Sequence, residues 1–177
     1  MPRRHPPLPR LWLMTDERIV DLPGAVARLP KGSGVVFRHH STDAPVRRAL
    51  FDRIRRIARC RGLILLLADT PTRARAWGAD GAHHRSMLSS IGLRTVAVHG
   101  LRELHLARRA KADLVFVSPV FPTRSHPDAR TLGPVRTGLM IGDQRRRVVA
   151  LGGMTARKFR RLKGLNLHGW AAIDALA

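Results

Sequence analysis

The 177-residue chain lacks several features, and each absence removes a class of protein. It has a single cysteine, Cys60, so it cannot form an intramolecular disulfide or a zinc site that needs two thiolates. No apolar run approaches the roughly 18 residues of a membrane-spanning helix. Residues 1–10 are rich in proline and arginine without an apolar core, which argues against a signal peptide. We therefore expect a cytoplasmic protein with no membrane partner.

Acidic groups are also scarce, with 12 Asp and Glu against 33 Lys and Arg, a formal net charge of +21. The excess fits either attraction to phosphorylated partners or a solvated arginine surface. The chain has no tyrosine, five Phe and three Trp, so stacking platforms for single strands are few. No nucleic-acid-binding signature is present, so we do not expect specific binding to nucleic acid.

The apolar residues are arranged for one packed domain at residues 11–177, after a Pro- and Arg-rich tail at residues 1–10. Short apolar runs alternate with amphipathic, arginine-rich stretches. The runs predict strands at residues 11–14, 34–38, 63–68, 81–83, 94–98, 114–117, 147–151 and 169–173. The stretches between them predict helices at residues 46–61, 72–77, 101–111 and 155–163.

Eight strands at a mean spacing of about 22 residues predict eight compact βα units. Continuous Val, Ile and Leu runs indicate strands buried on both faces, as in a parallel sheet. We therefore expect an α/β fold, a compact (β/α)8 TIM barrel with the last helix short or missing. A flavodoxin-like doubly wound sheet needs only five or six strands and stays open as the alternative. On the predicted helices, Cys60 is expected in the core, and Arg-Arg pairs such as residues 47–48 are expected to face solvent.

In such a barrel the chemistry lies at the carboxyl ends of the strands. Five of the nine histidines fall there: His39, His40, His83, His84 and His99. Adjacent residues on a strand point to opposite sides, so at most one of each neighbouring pair is expected to face the pocket. A zinc site of His40, His83 and His126 is conceivable, although hydrogen bonds within the loops are the simpler interpretation.

Six segments, taken together in their order, carry a family resemblance. They are residues 13–16 (LMTD), 78–83 (GADGAH), 97–99 (AVH), 112–123 (ADLVFVSPVFPT), 150–155 (ALGGMT) and 168–173 (HGWAAI). This set resembles the thiamine phosphate synthase and thiazole tautomerase superfamily of (β/α)8 barrels. The resemblance implies an enzyme of thiamine biosynthesis, a transferase that joins hydroxymethylpyrimidine pyrophosphate to a thiazole phosphate and releases pyrophosphate.

The resemblance also implies roles for particular residues. Arg38 is kept from the family's strand-two motif and would bind pyrophosphate through its guanidinium. His40 and His126 stand where the family has lysines and would complete the catalytic set. The implied phosphate-binding residues are Thr123, Ser125, Gly152, Gly153 and Ile173. The absent side chains of the glycines would expose backbone N–H groups to a phosphate.

A magnesium ion helps the pyrophosphate to leave in this family, and here its site is incomplete. Asp69 falls on one of the two positions that supply a carboxylate. The second position, after strand four, has no carboxylate, although Mg²⁺ is usually held by one or two carboxylates together with phosphate. Asp174 introduces an anion where the family closes its phosphate cradle with a serine.

Two alternatives stay open. The tautomerase branch aromatises a thiazole phosphate carboxylate by proton transfer without metal; its histidine position is Pro119 here, so His126 or His40 would serve as the base. The other is a barrel that binds phosphate without catalysis. The expected partners are a phosphorylated thiazole, the pyrimidine pyrophosphate and phosphate or sulfate ions, and the sequence leaves the oligomeric state open.

Overall fold

The computed structural model describes residues 7–84, 92–124 and 129–177. Its eight parallel strands close into a barrel, in which β8 pairs with β1. The strands are β1 Leu11–Met14, β2 Gly34–Phe37, β3 Ile64–Leu67, β4 Gly81–His83, β5 Leu93–Val98, β6 Leu114–Val117, β7 Val148–Ala150 and β8 Gly169–Ala172. The closed order is the predicted TIM barrel, and it excludes the doubly wound open sheet.

Helices pack around the outside of this sheet. They are α1 Leu22–Arg28, α2 Ala44–Arg61, α3 Pro71–Trp77, α4 Leu101–Arg109, α5 Gly133–Ile141 and α6 Ala156–Arg161. The sequence did not predict α1 and α5, which are short and carry proline and glycine in their first turns. Residues 173–177, after β8, contain no helix, in agreement with the prediction. Within the described ranges, no helix is long and apolar enough to cross a membrane.

The two-residue alternation of each strand divides the core into an interior and an outer layer. Trp12 and Met14 point into the barrel, where they cluster with Phe116, whereas Leu13 between them packs outward against α1 and α2. The Trp12 ring covers Gly34 on the next strand, and a Cβ at Gly34 would overlap it. The interior is therefore filled by side chains and leaves space only at its ends.

The segment before β1 closes the amino-terminal end of the barrel. Leu8 packs against the interior cluster, and the carbonyl of Pro9 accepts the Trp12 indole N–H at 2.7 Å. The Arg10 guanidinium donates to the carbonyl of His168 at 2.9 Å. The open end of the barrel is therefore the carboxyl end of the strands.

Helix α2 ends at Arg61 as predicted and begins at Ala44, two residues before the predicted start, but two of its side chains do not lie where expected. Its C-cap is Gly62, which has φ +64° and donates its N–H to the carbonyls of the preceding turn. Its buried stripe is Arg47, Phe51, Ile54 and Ala58, at helical spacing. The prediction that Arg47 faces solvent is therefore wrong. Cys60 falls outside the stripe and is exposed, so its prediction as a core residue is also wrong.

Candidate functional site

A cavity of about 660 Å³ opens at the carboxyl ends of the strands, where the sequence predicts the chemistry. Its volume is in the range typical of small-molecule sites. The apolar part of its wall is formed by Met14, Ala68, Ala97, Leu151 and Ile173. Polar groups are contributed by Arg38, His40, His83, His84, His99 and Thr123. A ligand here would have its apolar parts in the barrel mouth and its charged groups near the rim.

Arg38, the first residue after β2, is held in place by the end of β1. Its Nη2 donates to Asp16 Oδ2 at 2.7 Å, and its Nε donates to the carbonyl of Thr15 at 2.7 Å. The other oxygen of Asp16 accepts from Arg18 Nε at 2.6 Å. This hydrogen bond from Arg18 is the main reason that the pKa of Asp16 lies below its ordinary value. One carboxylate therefore carries two guanidinium groups, and one of these, Arg38, lines the cavity.

The two histidines after β2 turn in different directions. His39 has φ +44° and is buried, with its ring stacked on Phe37 at a centroid distance of 4.8 Å. Its Nδ1 lies 2.9 Å from the Thr15 hydroxyl. His40 is exposed and lines the cavity. For this pair, the prediction that only one ring faces the pocket is confirmed.

The charge of His40 is set by its neighbours. Partial burial lowers its pKa most, and the positive charges of Arg47 and Arg38 lower it further, against weaker attraction from Glu17 and Asp69. At neutral pH the free protein therefore holds His40 mostly as the neutral imidazole. A neutral ring can accept a proton or a hydrogen bond, but it is not the fixed cation that a lysine would be.

Three further histidines lie around the β4–β6 side of the mouth. His83 Nδ1 lies 2.8 Å from the Thr95 hydroxyl, and the ring meets Phe116 edge to face at 5.1 Å. His99 Nδ1 donates to the carbonyl of Ser118 at 2.8 Å. His83 and His84 both line the cavity, so the prediction that only one of them does is wrong. The reason is that β4 ends at His83, where the strand alternation stops.

Asp69 follows β3 and is already engaged by positive groups. Its Oδ1 accepts from the Thr70 N–H at 2.8 Å, and its Oδ2 accepts from Arg47 at 3.0 Å and Arg73 at 3.1 Å. Burial raises the pKa of Asp69, but these hydrogen bonds outweigh burial and hold the pKa below its ordinary value. The Arg47–Asp69 pair is also largely removed from water, with side chains only 8% and 14% exposed.

These contacts do not fit a magnesium ion held by Asp69. Both carboxylate oxygens accept hydrogen bonds, and two guanidinium groups already contact Oδ2, so a cation there would face two positive charges. In the ranges that the structure describes, no group of three His, Cys, Asp or Glu could hold a metal. His126, the third ligand of the conceivable zinc site, lies outside the described residues.

A second groove, of about 330 Å³, adjoins the cavity at the ends of β6, β7 and β8. Thr123, Gly152 and Ile173 line both spaces, and Gly153 lines the groove. Lys158, from α6, also lines it and donates from Nζ to the carbonyl of Gly153 at 2.7 Å. This groove therefore combines a hydroxyl, two glycines and an ammonium group, which suits a phosphate.

The two glycines are required by the close approach of the β6 and β7 loops. Gly152 has φ +92°, and a Cβ there would lie 2.7 Å from the Cα of Pro119. Gly153 has φ +57°, and its Cβ would overlap the carbonyl of Pro122. The loops are joined by hydrogen bonds from Val120 N–H to the Leu151 carbonyl, at 2.9 Å, and from Phe121 N–H to the Gly152 carbonyl, at 3.1 Å.

The structure thus places the sequence-predicted residues in two groups. Arg38 and His40 lie together after β2, and Thr123, Gly152, Gly153 and Ile173 lie together at β6–β8. Ser125 and His126 lie outside the described residues. Asp174 lines the groove near Ile173 and is exposed. The pKa of Arg18 is raised mainly by its hydrogen bond to Asp16, and the charge of Asp174 adds to this effect.

Sequence reasoning missed two basic residues that matter to these groups, Arg47 and Lys158. The heptad-like position of Arg47 on the apolar stripe of α2 was the available signal for its burial. For Lys158 the signal was its place three residues after Thr155, whose hydroxyl accepts the Lys158 N–H and so starts α6 beside the glycines.

Comparison with known proteins gives one consistent family. The model of the family described as thiamine monophosphate synthase matches residues 11–176. A thiamine-phosphate synthase from Geobacillus thermodenitrificans is 31% identical over 145 residues, which cover 73% of this chain and 63% of that protein. One from Lactococcus lactis is 26% identical over 141 residues, covering 73% and 65%. The chain therefore spans less than two thirds of the length of these relatives.

Solved structures agree on the fold. The thiamine phosphate pyrophosphorylase from Pyrococcus furiosus matches with a TM-score of 0.80 at 22% identity, covering 94% of this chain and 86% of that one. The protein of the same name from Bacteroides thetaiotaomicron matches with a TM-score of 0.65 at 16% identity, covering 95% and 84%. At these identities the likeness concerns the barrel and not its chemistry.

Proposed function

Because the chain belongs to the thiamine monophosphate synthase family, we propose that it joins hydroxymethylpyrimidine pyrophosphate to a thiazole phosphate and releases pyrophosphate. The main support for the proposal is that two separate groups of residues suited to bind phosphate lie around one cavity. One lies after β2, with Arg38 and His40, and the other lies at β7–β8, with Gly152, Gly153 and Lys158. In the closed barrel, only β1 and β8 lie between β2 and β7. Two phosphorylated substrates could therefore meet across the mouth.

The bonds that break and form in this reaction imply different roles for the two groups of residues. The bond between the pyrimidine methylene carbon and the pyrophosphate oxygen breaks, and the pyrophosphate keeps the electron pair. The thiazole ring nitrogen supplies a pair to that carbon, so no electrons or protons are gained from elsewhere. Arg38 would stabilise the charge that develops on the pyrophosphate. The family resemblance implies a magnesium ion, but no step is assigned to it because Asp69 does not fit one.

The remaining residues would orient the partners and exclude water. On this proposal the glycine N–H groups and Lys158 hold the thiazole phosphate, so that its ring enters the cavity. Met14, Ala97 and Leu151 line the cavity with apolar groups, and on this proposal they would surround the pyrimidine carbon as it becomes electron-poor. Such walls lower the chance that water captures this carbon instead of the thiazole nitrogen. The predicted cytoplasmic location belongs to the same proposal.

A coupling assay on the protein tests this function. The two substrates would be supplied together, with magnesium and with EDTA, and thiamine phosphate and pyrophosphate would be measured. We expect turnover, and we expect Lys158→Met to raise KM for the thiazole phosphate about tenfold, the effect of losing one charge-assisted contact. Lys163→Met removes an exposed charge from the segment after α6 and is expected to leave KM unchanged.

The alternatives would be recognised in the same experiments. Aromatisation of the thiazole phosphate carboxylate, without coupling, would make the protein a tautomerase. Binding of both substrates with neither reaction would make it a phosphate-binding barrel. Equal KM changes in Lys158→Met and Lys163→Met would remove Lys158 from the thiazole phosphate site.

His40 gives this site a pH dependence. A bound pyrophosphate raises the pKa of His40, which burial, Arg47 and Arg38 hold below its ordinary value in the free protein. Binding then takes up a proton, so pyrophosphate affinity should rise as the pH falls toward about 6, near the unperturbed histidine pKa. Calorimetry from pH 8 to pH 6 would measure the slope. In His40→Lys the slope should be smaller, and an unchanged slope would contradict the assignment.

A further inference from the structure

The β1–β3 side of the mouth has a repeated arrangement of charge. Asp16 carries two guanidinium groups, Arg18 and Arg38, and Asp69 likewise carries two, Arg47 and Arg73. Each group of three side chains contains one negative and two positive charges and therefore has a net positive charge. These groups therefore attract an anion that enters the mouth, and this attraction does not require a bound metal ion.

Asp69 is connected to the backbone of Arg38 through the side chain of Arg47. The Nη1 of Arg47 donates to Asp69, while its Nε and Nη2 both donate to the carbonyl of Arg38, at 3.1 and 3.0 Å. That carbonyl belongs to the residue at which β2 leaves the barrel. The next residue, His39, has a left-handed backbone with φ +44°, and the chain then reaches His40. The chain of contacts from Asp69 through Arg47 therefore fixes the backbone that presents Arg38 and His40 to the cavity.

We propose that this barrel binds the phosphate groups of its pyrophosphate ligand without a divalent cation. Arg38 and His40 make the direct contacts, and Asp69 is a positioning residue that acts through Arg47. This inference rests on the proposed function, because it names the way in which the same mouth holds its pyrophosphate. It differs from the role of metal ligand that the family resemblance implies for Asp69.

The distribution of acidic residues supports this assignment. A protein-held Mg²⁺ that bridges a pyrophosphate is usually anchored by one or two carboxylates. Between Asp80 and Glu103 the chain has no Asp or Glu, so the loop after β4 supplies none. Asp69 could bind a cation only after its ion pairs with Arg47 and Arg73 were broken. One of these partners, Arg47, is buried beside it. The free energy lost by breaking a buried ion pair exceeds the free energy gained from one solvent-exposed contact.

Calorimetric titration with inorganic pyrophosphate tests the proposal on the full chain, once with excess EDTA and once with excess magnesium. We expect binding in EDTA with an affinity within about threefold of that in magnesium, a difference of less than one kcal/mol by the usual conversion. Binding that occurs only with magnesium would overturn the proposal. Absence of binding under both conditions would overturn it as well.

Charge alone could attract pyrophosphate to a protein of net charge +21, so the site needs a matched pair of variants. Arg38→Gln is expected to weaken binding about tenfold in EDTA, the loss of a charge-assisted contact. Arg146→Gln removes the same charge from a groove shared with Arg108 and Asn166, at the other end of the barrel, and should leave the affinity unchanged. Equal losses in both variants would show unspecific attraction and overturn the proposal.

The role of Asp69 is tested against that of another paired aspartate, Asp52, which lies on α2 beside Arg48. Asp69→Asn should weaken pyrophosphate binding by the same factor in EDTA and in magnesium, with Asp69→Glu restoring part of it. Asp52→Asn should change neither affinity. Loss of affinity in Asp69→Asn only when magnesium is present would instead identify a metal ligand. Thermal unfolding of each variant checks that it is folded at the titration temperature.

The outcome can be separated from that of the proposed function. Pyrophosphate binding in EDTA without any coupling reaction would leave this inference standing and remove the synthase activity. Coupling that occurs in magnesium while pyrophosphate fails to bind in EDTA would leave the activity standing and remove this inference.

Discussion

The Arg47→Met variant is expected to unfold with a free energy about 3 kcal/mol lower than that of the wild type, because it breaks a buried ion pair. The variant leaves Asp69 with one guanidinium fewer in a largely water-free position, and it removes both side-chain donors from the Arg38 carbonyl. Urea unfolding followed by circular dichroism would measure the difference. The double variant Arg47→Met/Asp69→Leu should recover part of the loss, since it leaves no charge in the buried position, and Arg73, which loses its partner, is 57% exposed.

The neighbouring arginine provides a matched control. Arg48 lies over the same Trp77 ring at the same 5.2 Å and is also paired with an aspartate, but its side chain is 38% exposed against 8% for Arg47. Arg48→Met should therefore cost no more than about 1 kcal/mol, as is usual for solvated pairs. Equal losses in the two variants would mean that burial of the Arg47–Asp69 pair does not contribute to stability.

The same pair makes stability depend on acid pH. The folded pKa of Asp69 lies below its unfolded value because of the hydrogen bonds from Thr70, Arg47 and Arg73. Its stabilising contribution is therefore complete above the unfolded pKa of about 3.9 and is lost as the pH falls through the lower folded pKa. The difference between the wild type and Arg47→Met should shrink over that range.

Gly152→Ala is expected to lower the affinity for a phosphorylated ligand at least about tenfold, or 1.4 kcal/mol. Its φ of +92° is strained for any L-residue, and the new Cβ would press on Pro119 in the β6 loop. Because the β6 and β7 loops together form the groove, separating them displaces Thr123 from the two glycines. Titration with a thiazole phosphate or inorganic phosphate would measure the loss, and stability should fall by about 2 kcal/mol.

Gly164→Ala serves as its control. A Cβ at Gly164 meets nothing within 4 Å, and the residue does not adopt a positive φ. This variant should therefore bind phosphate like the wild type and be as stable or slightly more so. Wild-type affinity in Gly152→Ala would show that the groove at β6–β8 is not the phosphate site.

Most of the fold could be predicted because it depends on local patterns. All eight predicted strands are present, with ends that shift by at most one residue at either end. The helices α1 and α5 were missed because proline and glycine count against a helix when only propensity is considered. In the structure, Gly138 of α5 brings the helix close to Leu165, so the same residue that weakens its propensity serves its packing.

The candidate site was predictable in position but less so in its electrostatics. Arg38, His40 and Gly152 lie at the carboxyl ends of the strands, as expected for a barrel. The lowered pKa of His40 was not predictable, because it results from partial burial and from Arg47, which belongs to another element. His83 and His84 show the same limit, since strand alternation says nothing about a residue beyond the end of its strand.

By itself, the sequence determined the number and order of the strands, because short apolar runs separated by turn residues are a local pattern. The tertiary structure alone decided which charges meet. Arg47 and Asp69 are 22 residues apart and belong to α2 and to the end of β3. They come together only because β3 pairs beside β2 while α2 crosses back over both. An ion pair depends on distance and burial, and neither is encoded in the local pattern around its members.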